Sequence, residues 1–392
     1  MLERPFHFIV VLWGARFRGY FLNWLLPSLL TPGNLPALRT RHASKLVIVT
    51  TAEDIPFLRS SAFVMEALAH VGVEYIEIPP CPANKSGCEH MGVGHKLACE
   101  AAFRDQAYAM ITTPDSWLSD GAVARLQTLA EEGTELVLGA AVRFGEEPFL
   151  GGLLDLVKDQ GWKVLLNNRK VVEVALKSMH PETLAYEWDK PGFLFVSPNA
   201  WWRVPGEDGI VMHSLTWAPL LIDYAAIKSH DASTFDNWTL DGDYLYNNCE
   251  AFRKIHVVRD SDEIFLPSWG PVAVNPLYKR WMPFGKFIAK LQFGCSYRSQ
   301  FFDPFKRKLL FETVRWHSRP INSNWLVVEE RALNELRYYT GDHPFLVFAY
   351  NNFVRKPMIV LFNPRAVAKR LWKALLGDPV SRKLIHQYMG MR

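Results

Sequence analysis

Apolar runs with the length and composition of buried strands alternate with helix-length amphipathic segments over the first 145 residues. After the second run, Pro56 marks the start of a helix and Gly72 marks its end. Strands that are apolar on both faces and are separated by helices are typical of a parallel sheet built from βαβ units. The runs that predict strands are FHFIVVLW (6–13), KLVIVTT (45–51), VEYIEI (73–78), AYAMITT (107–113) and ELVLGAAV (135–142).

This alternation stops near residue 145, and the rest of the chain shows other patterns. Residues 146–190 have mainly helical patterns, and a strand-and-loop pattern with many acids follows. Residues 276–392 are basic and aromatic, without a second series of βα units. The sequence therefore predicts a single α/β, Rossmann-like domain with a mostly parallel sheet, made of segments 1–145 and 146–275. A largely helical C-terminal appendix is predicted at 276–392.

Charge divides unevenly between this domain and its appendix. Of the 392 residues, 49% are apolar and 21% are charged, as in a folded globular protein. Residues 1–275 carry 23 Lys/Arg and 33 Asp/Glu, a net −10, whereas residues 276–392 carry 21 and 7, a net +14. We expect the appendix to bind an anionic surface. The alternative is that it docks on the acidic body of its own chain.

One segment of the appendix, NPRAVAKRLWKALLG (363–377), predicts an amphipathic helix with one basic face. Such a helix can lie on an anionic membrane, or it can pack on its own domain. The N-terminal residues lack the features of a signal peptide, and apolar runs of about 18 residues are absent from the sequence. We therefore expect a cytoplasmic protein that associates peripherally with the inner face of the cytoplasmic membrane.

Polar and aromatic residues directly follow three of the predicted strands. Trp13 and Gly14 end the first strand, Thr51 and Glu53 follow the second, and Asp115 follows the AYAMITT strand. Open α/β sheets bind their ligands at the carboxyl ends of the strands, so these residues are candidates for a nucleotide site. The alternatives are a core position for Trp13, a helix-start acid for Glu53 and a strand-closing turn at Asp115.

A second group of candidates lies in the acidic stretch between residues 213 and 244. It contains His213 and the acids Asp236, Asp241 and Asp243. Two carboxylates separated by one residue can share a divalent cation, because hard cations prefer oxygen ligands. Asp-Gly-Asp also makes an ordinary turn, so this motif alone is weak.

Several common catalytic motifs are absent from the sequence. It has no G-x-S-x-G elbow, no Walker loop, no G-x-G-x-x-G after the first strand and no H-E-x-x-H helix. The sequence therefore does not favour a hydrolase, a P-loop protein or a nicotinamide-dependent enzyme. Nucleic-acid binding is disfavoured, because no recognised motif accompanies the basic charge of the appendix.

The order of elements resembles a bacterial GT-A-type glycosyltransferase over about residues 6–245. FIVVLWG, LVIVTTAEDIPFL and MITTPDSWLSDG are similar to its nucleotide-sugar-binding half, and HSLTWAPLLI and TFDNWTLDGDY to its later His-containing and acidic segments. The resemblance implies that segment 1–145 binds the donor and segment 146–275 binds the acceptor. Asp115 takes the position of the family's Asp-x-Asp metal motif. Its second acid is missing here, which puts direct Mn²⁺ or Mg²⁺ binding in doubt.

The resemblance also implies roles for the other candidates. Asp243 or Asp241 would be the catalytic base, with Asp236 beside them, and His213 would contact the metal or a phosphate. Trp13, Gly14, Thr51, Glu53 and Asp115 would contact the nucleotide-sugar. The leading hypothesis is a hexosyltransferase-like enzyme with a cell-envelope, polysaccharide or lipid-linked acceptor. The alternative is a non-catalytic module on a degenerate scaffold that binds anionic lipid or polysaccharide.

Overall fold

A computed structural model describes residues 4–158, 166–193, 198–240, 243–272, 286–300 and 303–340 of the chain. The strands within these ranges are β1 (Phe6–Val11), β2 (Lys45–Thr50), β3 (Gly72–Glu77), β4 (Tyr108–Thr112), β5 (Leu136–Ala140), β6 (Arg143–Gly145), β7 (Asn199–Arg203), β8 (Gly209–Ser214), β9 (Trp217–Asp223), β10 (Ile255–Val257), β11 (Ser268–Gly270) and β12 (Thr313–His317).

Helices connect most of these strands. No helix in the described ranges is both long enough and apolar enough to cross a lipid bilayer. The α-helices are α1 (Gly14–Tyr20), α2 (Leu26–Leu29), α3 (Ile55–Arg59), α4 (Ala62–Ala67), α5 (Gly87–Arg104), α6 (Ala122–Glu131), α7 (Glu146–Val157), α8 (Asn168–Lys177), α9 (Pro181–Leu184), α10 (Tyr244–Cys249), α11 (Lys286–Ser299), α12 (Pro304–Arg307) and α13 (Ser323–Thr340). A π-helical turn (Phe21–Leu25) joins the first two helices, α1 and α2.

The central sheet has seven strands within the described part of the chain, in the order β10-β5-β9-β4-β1-β2-β3. β1 pairs in parallel with β2 and β4, β2 with β3, and β10 with β5. β9 alone among these strands runs antiparallel to its neighbours, β4 and β5. The predicted α/β fold with a mostly parallel sheet is therefore confirmed.

Both faces of this sheet are buried, as the uninterrupted apolar runs require. All six residues of β1 are buried. Phe8 and Val10 point into one hydrophobic core, and Ile9 and Val11 point into the other, since side chains alternate along a strand. Helix α5 covers the second face closely: a Cβ added at Gly94 would collide with the side chain of Val11.

Residues beyond 145 complete this sheet and build a second one. β9 and β10 insert beside β5, so segment 146–275 supplies two strands of the central sheet. The second sheet is antiparallel, with the order β12-β8-β7, and its β12 comes from beyond residue 276. α11 and α13 pack on this sheet around the buried side chains of Trp188 and Trp202. The described part of segment 276–392 is largely helical, and it shares a core with segment 146–275.

Candidate functional site

The strand order places a crevice at the carboxyl ends of β1 and β4. These two strands are neighbours in the sheet. β2, the next strand along the chain after β1, lies on the other side of β1, and β9 lies on the other side of β4. Helices that follow the two strands therefore diverge, and the opening between them is where open α/β sheets bind ligands. Trp13 and Gly14 follow β1 at this edge, and Thr113 and Asp115 follow β4.

Asp54 ties the loop after β1 to the loop after β2. Its Oδ2 accepts a hydrogen bond from the Gly14 backbone N–H at 2.7 Å and another from the Thr51 hydroxyl at 3.1 Å. Arg18 of α1 forms an ion pair with the same carboxylate, which is only 3% exposed. The structure thus brings Gly14 and Thr51 together, and the exposed Glu53 stands next to them.

Two features leave the loop after β1 accessible to a ligand. Gly14 has a φ of +77°, in the left-handed region that favours glycine, and no atom lies within 4 Å of the position where its Cβ would be. Trp13 is half-buried, and its ring meets the ring of His90 edge-on, with centroids 4.9 Å apart and an angle of 83°. His90 is 1% exposed, and its Nε2 has no hydrogen-bond partner among the described residues.

A cavity of about 430 Å³ opens next to this edge. Its walls come from α5, from the loops after β4 and β5, from the amino end of the antiparallel β9, and from α9 and α10. The residues that carry its polar chemistry are His95, Thr113, Asp115, Ser116, Arg143, Glu182, Tyr186, Asn199, Thr239 and Tyr246.

Asp115 lies in this cavity, half-buried, and burial raises the pKa of its carboxyl group. A hydrogen bond with Thr113 and the positive charge of Arg143 oppose that shift. Two hydrogen bonds fix the loop after β4. The Ser116 hydroxyl donates to the Thr113 carbonyl at 2.6 Å, and the Asp115 carbonyl accepts from the Trp269 N–H at 3.2 Å. A carboxylate with a raised pKa in a cavity is a candidate for cation binding or proton transfer.

Arg143 is a second functional candidate, which the sequence reasoning missed. It begins β6, three residues after the last residue of β5, and its side chain is exposed at the cavity. Within the described residues, no carboxylate forms an ion pair with it. An arginine with a free guanidinium group can bind a phosphate by two hydrogen bonds. The strand-end rule that singled out Asp115 would also have found Arg143.

Glu182 and Tyr186 add a hydrogen-bonded pair to the same cavity. The Tyr186 hydroxyl donates to Glu182 Oε1 at 2.7 Å, and burial together with this carboxylate raises the pKa of the tyrosine. Glu182 lies in the first turn of the short helix α9, which His180 caps by accepting the Glu182 N–H with its Nδ1, at 3.2 Å. Sequence reasoning missed this pair, because nothing in a helical stretch indicates which residues the fold turns towards a distant strand end.

The predicted acids of segment 146–275 have different surroundings. Asp236 forms an ion pair with Lys96 at 2.9 Å, and 56% of its side chain is exposed. Asp243 is exposed and directly precedes α10. Burial raises the pKa of Tyr246, which lines the cavity, to about 12, and the charges of Asp303 and then Asp243 contribute to that shift. Asp241 lies outside the described residues.

His213 is not brought together with Asp115. It lies in β8 of the second sheet, fully buried, with its ring 5.8 Å from the Trp202 ring and its Nε2 3.5 Å from the Thr313 hydroxyl. Burial lowers the pKa of His213 to about 4. His213 is not among the residues that line the cavity. A histidine was expected at the site, and the one that lines the cavity is His95, whose pKa burial also lowers to about 4.

Comparisons with known proteins give only distant similarities. No protein-family model matches the sequence, and no curated protein matches it either. Among solved structures, S. aureus TarS aligns with a TM-score of 0.37 and 11% identity, over 76% of this chain and 44% of that chain. The mannosyltransferase PcManGT from Pyrobaculum calidifontis, in complex with GDP-Man and Mn²⁺, aligns with a TM-score of 0.32 and 12% identity, over 97% of this chain and 86% of that chain. The chain thus spans less than half of TarS, and similarity at this level carries no argument about the reaction.

Proposed function

We propose that the chain is a glycosyltransferase that uses a nucleotide-sugar donor. One observation carries the proposal: a cavity at the carboxyl edge of the sheet, next to the crevice between β1 and β4, is lined by both Asp115 and Arg143. Arg143 forms no ion pair with any carboxylate in the described part of the chain. A nucleoside diphosphate needs a cationic group for its phosphates, and a guanidinium fork matches phosphate oxygens. We therefore assign the diphosphate to Arg143.

The nucleoside end of the donor is assigned to the loops after β1 and β2. The open side of Gly14 permits the close approach of a ribose, and the half-buried ring of Trp13 offers an apolar surface for a base. The exposed Glu53 can accept hydrogen bonds from ribose hydroxyls. Thr51 acts through Asp54, which accepts hydrogen bonds from the Thr51 hydroxyl and the Gly14 N–H and so connects the two loops.

We also propose that the cavity binds a divalent cation such as Mn²⁺ or Mg²⁺. Asp115 and Glu182 line the same cavity, and burial disfavours the charged form of Asp115, which a bound cation would favour. These two carboxylates would hold the ion, without His213. When bound, the ion would neutralise charge on the leaving nucleoside diphosphate.

Asp243 is the proposed catalytic base, and Asp241 remains a second candidate. Asp243 is exposed, and its charge helps to raise the pKa of Tyr246, which lines the cavity, whereas Asp236 forms an ion pair with Lys96. In the reaction, the carboxylate takes the proton of an acceptor hydroxyl as its oxygen attacks the anomeric carbon of the sugar. The bond from this carbon to the diphosphate breaks, and Arg143 stabilises the charge on the leaving group.

The proposed acceptor is a glycan or lipid-linked molecule of the cell envelope, at the cytoplasmic face of the membrane. Support comes from the net charge of +14 in residues 276–392, which favours an anionic surface. The predicted basic helix at 363–377 lies outside the described residues.

Ligand-dependent thermal stability tests the donor assignment. The protein is melted with UDP, GDP, CDP or dTDP, each with Mn²⁺ or with EDTA, because a ligand that binds the native state raises Tm. A nucleotide present at a hundred times its Kd adds about 2.7 kcal/mol to the free energy of unfolding. We expect one nucleotide to raise Tm, and we expect Mn²⁺ to enhance the effect.

Variants locate the response within the molecule. Arg143→Gln and Asp115→Asn should remove most of the nucleotide effect, and Asp243→Asn should leave it intact while abolishing sugar transfer. Arg41→Gln is the matched control, since Arg41 is exposed in the loop that precedes β2, at the opposite edge of the sheet. If no nucleotide raises Tm, the donor assignment is wrong. Liposome pelleting would then test the alternative, a non-catalytic module for anionic lipid.

A further inference from the structure

A cluster of metal-ligating side chains lies away from the cavity described above. Asp260 and Asp262 are in the loop after β10, and His317 is the last residue of β12. One ligand atom from each of the three lies within 4.8 Å of the others. None of the three lines the cavity, so this cluster is separate from the proposed donor site.

The distances within the cluster suit a single metal ion. His317 Nε2 is 2.8 Å from Asp260 Oδ1 and 3.9 Å from Asp262 Oδ2. Two ligand atoms at about 2.1 Å from a tetrahedral metal lie about 3.4 Å apart, a value between the two distances. An ion would replace the hydrogen bond between His317 Nε2 and Asp260 Oδ1, so these two atoms would separate slightly while Asp262 Oδ2 moves closer to His317.

The ring of His317 is oriented by contacts that leave one nitrogen directed at the carboxylates. Its Nδ1 donates to the Arg319 carbonyl oxygen at 2.7 Å, and the ring packs against the ring of Trp325, with centroids 5.6 Å apart. A histidine that ligates a metal commonly donates its other N–H to a carbonyl in this way. His317 is 1% exposed, so its rotamer is fixed by packing.

The two carboxylates are also held in place. Asp260 Oδ1 accepts the Asp262 N–H at 2.8 Å, and Arg169 donates to both oxygens of Asp262, at 3.0 and 2.7 Å. A carboxylate has about four lone-pair positions, so the fork of Arg169 leaves positions for a metal. Asp262 and Arg169 also line a surface pocket of about 380 Å³, through which water can complete the coordination.

We propose that Asp260, Asp262 and His317 bind a divalent transition-metal ion. One imidazole and two carboxylates suit Zn²⁺, whereas Mg²⁺ and Ca²⁺ prefer oxygen ligands alone. The ion joins the loop after β10, an edge strand of the central sheet, to β12 of the second sheet. Because its ligands come from that loop and from β12, the ion would stabilise the contact between the two sheets, with water as its fourth ligand.

Metal titration of the full-length protein tests the site. The protein is treated with EDTA, dialysed and titrated with Zn²⁺ by calorimetry, and Co²⁺ is then used as an absorption probe. We expect one ion per chain and a rise in Tm on binding. Asp262→Asn and His317→Gln should each weaken binding by at least 10-fold. Asp262 is partly exposed, so its variant should fold even if the His317 variant does not.

His256→Gln is the matched control, because His256 Nε2 pairs with the single carboxylate of Glu263, at 2.8 Å, outside the cluster. It should bind Zn²⁺ as the unaltered protein does. A thiolate-to-Co²⁺ charge-transfer band would show binding at a cysteine instead. That band, the absence of stoichiometric binding, or full affinity in Asp262→Asn would each overturn the proposal and leave the cluster as an ion-pair network.

Discussion

Replacing Gly92 with alanine tests how closely α5 packs on the segment that carries Asp236 and Trp238. A Cβ at Gly92 would lie 2.6 Å from the carbonyl oxygen of Phe235 and closer still to that of Trp238, whereas ordinary contacts begin at 3.4 Å. Both oxygens belong to the backbone, so no side-chain rotation relieves the clash. The helix and this segment must move apart.

The expected cost follows from two opposing contributions. Overpacking of this kind costs about 1–3 kcal/mol, and the backbone clash places Gly92→Ala at the upper end. Alanine gains about 1 kcal/mol over glycine in a helix interior. The net loss is therefore about 2 kcal/mol. With an unfolding entropy of about 2.1 cal/mol/K per residue and a chain of 392 residues, Tm should fall by about 2–3 °C.

Thermal unfolding followed by circular dichroism measures the effect, and Gly87→Ala is the matched control. Gly87 starts the same helix, and no atom lies within 4 Å of its Cβ position, so this variant should melt at an unchanged or higher temperature. Thr239 and Leu240 follow the displaced segment and line the cavity, so Gly92→Ala should also weaken nucleotide binding. The reasoning is refuted if Gly92→Ala melts as high as Gly87→Ala.

Two further substitutions test burial and surface charge. Burial lowers the pKa of His213 to about 4 from the 6.5 expected in the unfolded chain. Between these values the unfolded state binds the proton more tightly, so the free energy of unfolding should fall as pH falls, by up to about 1.4 kcal/mol per pH unit. His213→Leu should flatten this dependence in urea titrations, and an unchanged slope would contradict the assignment. Asp236→Asn removes an ion pair whose side chains are 56% and 37% exposed, so it should cost less than about 1 kcal/mol. A urea midpoint that shifts by more than this would show that the pair matters for the fold.

Local patterns determined the first half of the fold. The predicted strands at 6–13, 45–51, 73–78, 107–113 and 135–142 correspond to β1 to β5. β1, β2, β4 and β5 are buried on both faces, and such burial is visible in sequence as an uninterrupted apolar run. β3 is an edge strand and is only half-buried. The apolar segment Trp217–Asp223 was not predicted as an antiparallel member of the same sheet. Its apolar character gives neither its partner nor its direction, since both depend on contacts far apart in sequence.

Some residues of the candidate site could likewise be predicted from the sequence, and others could not. Gly14, Thr51 and Asp115 could be found because parallel strands end at one edge, so strand-end residues gather there whatever the packing. Glu182 and Tyr186 reach the cavity from a helical region, and only the packing of segment 146–275 brings them to Asp115. His213 has the residue type of a ligand, but it is buried in β8.

The sequence by itself therefore determined the α/β class and the parallel strands β1 to β5, and it predicted the edge that is proposed here for the ligand. These follow from short-range periodicity and from the sterics of βαβ units. Only the tertiary structure decided which side chains meet at that edge, and which histidines are buried in the core. It also brought Asp260, Asp262 and His317 together. Those contacts join residues far apart in the chain, and their positions depend on the packing of the whole molecule rather than on any local pattern.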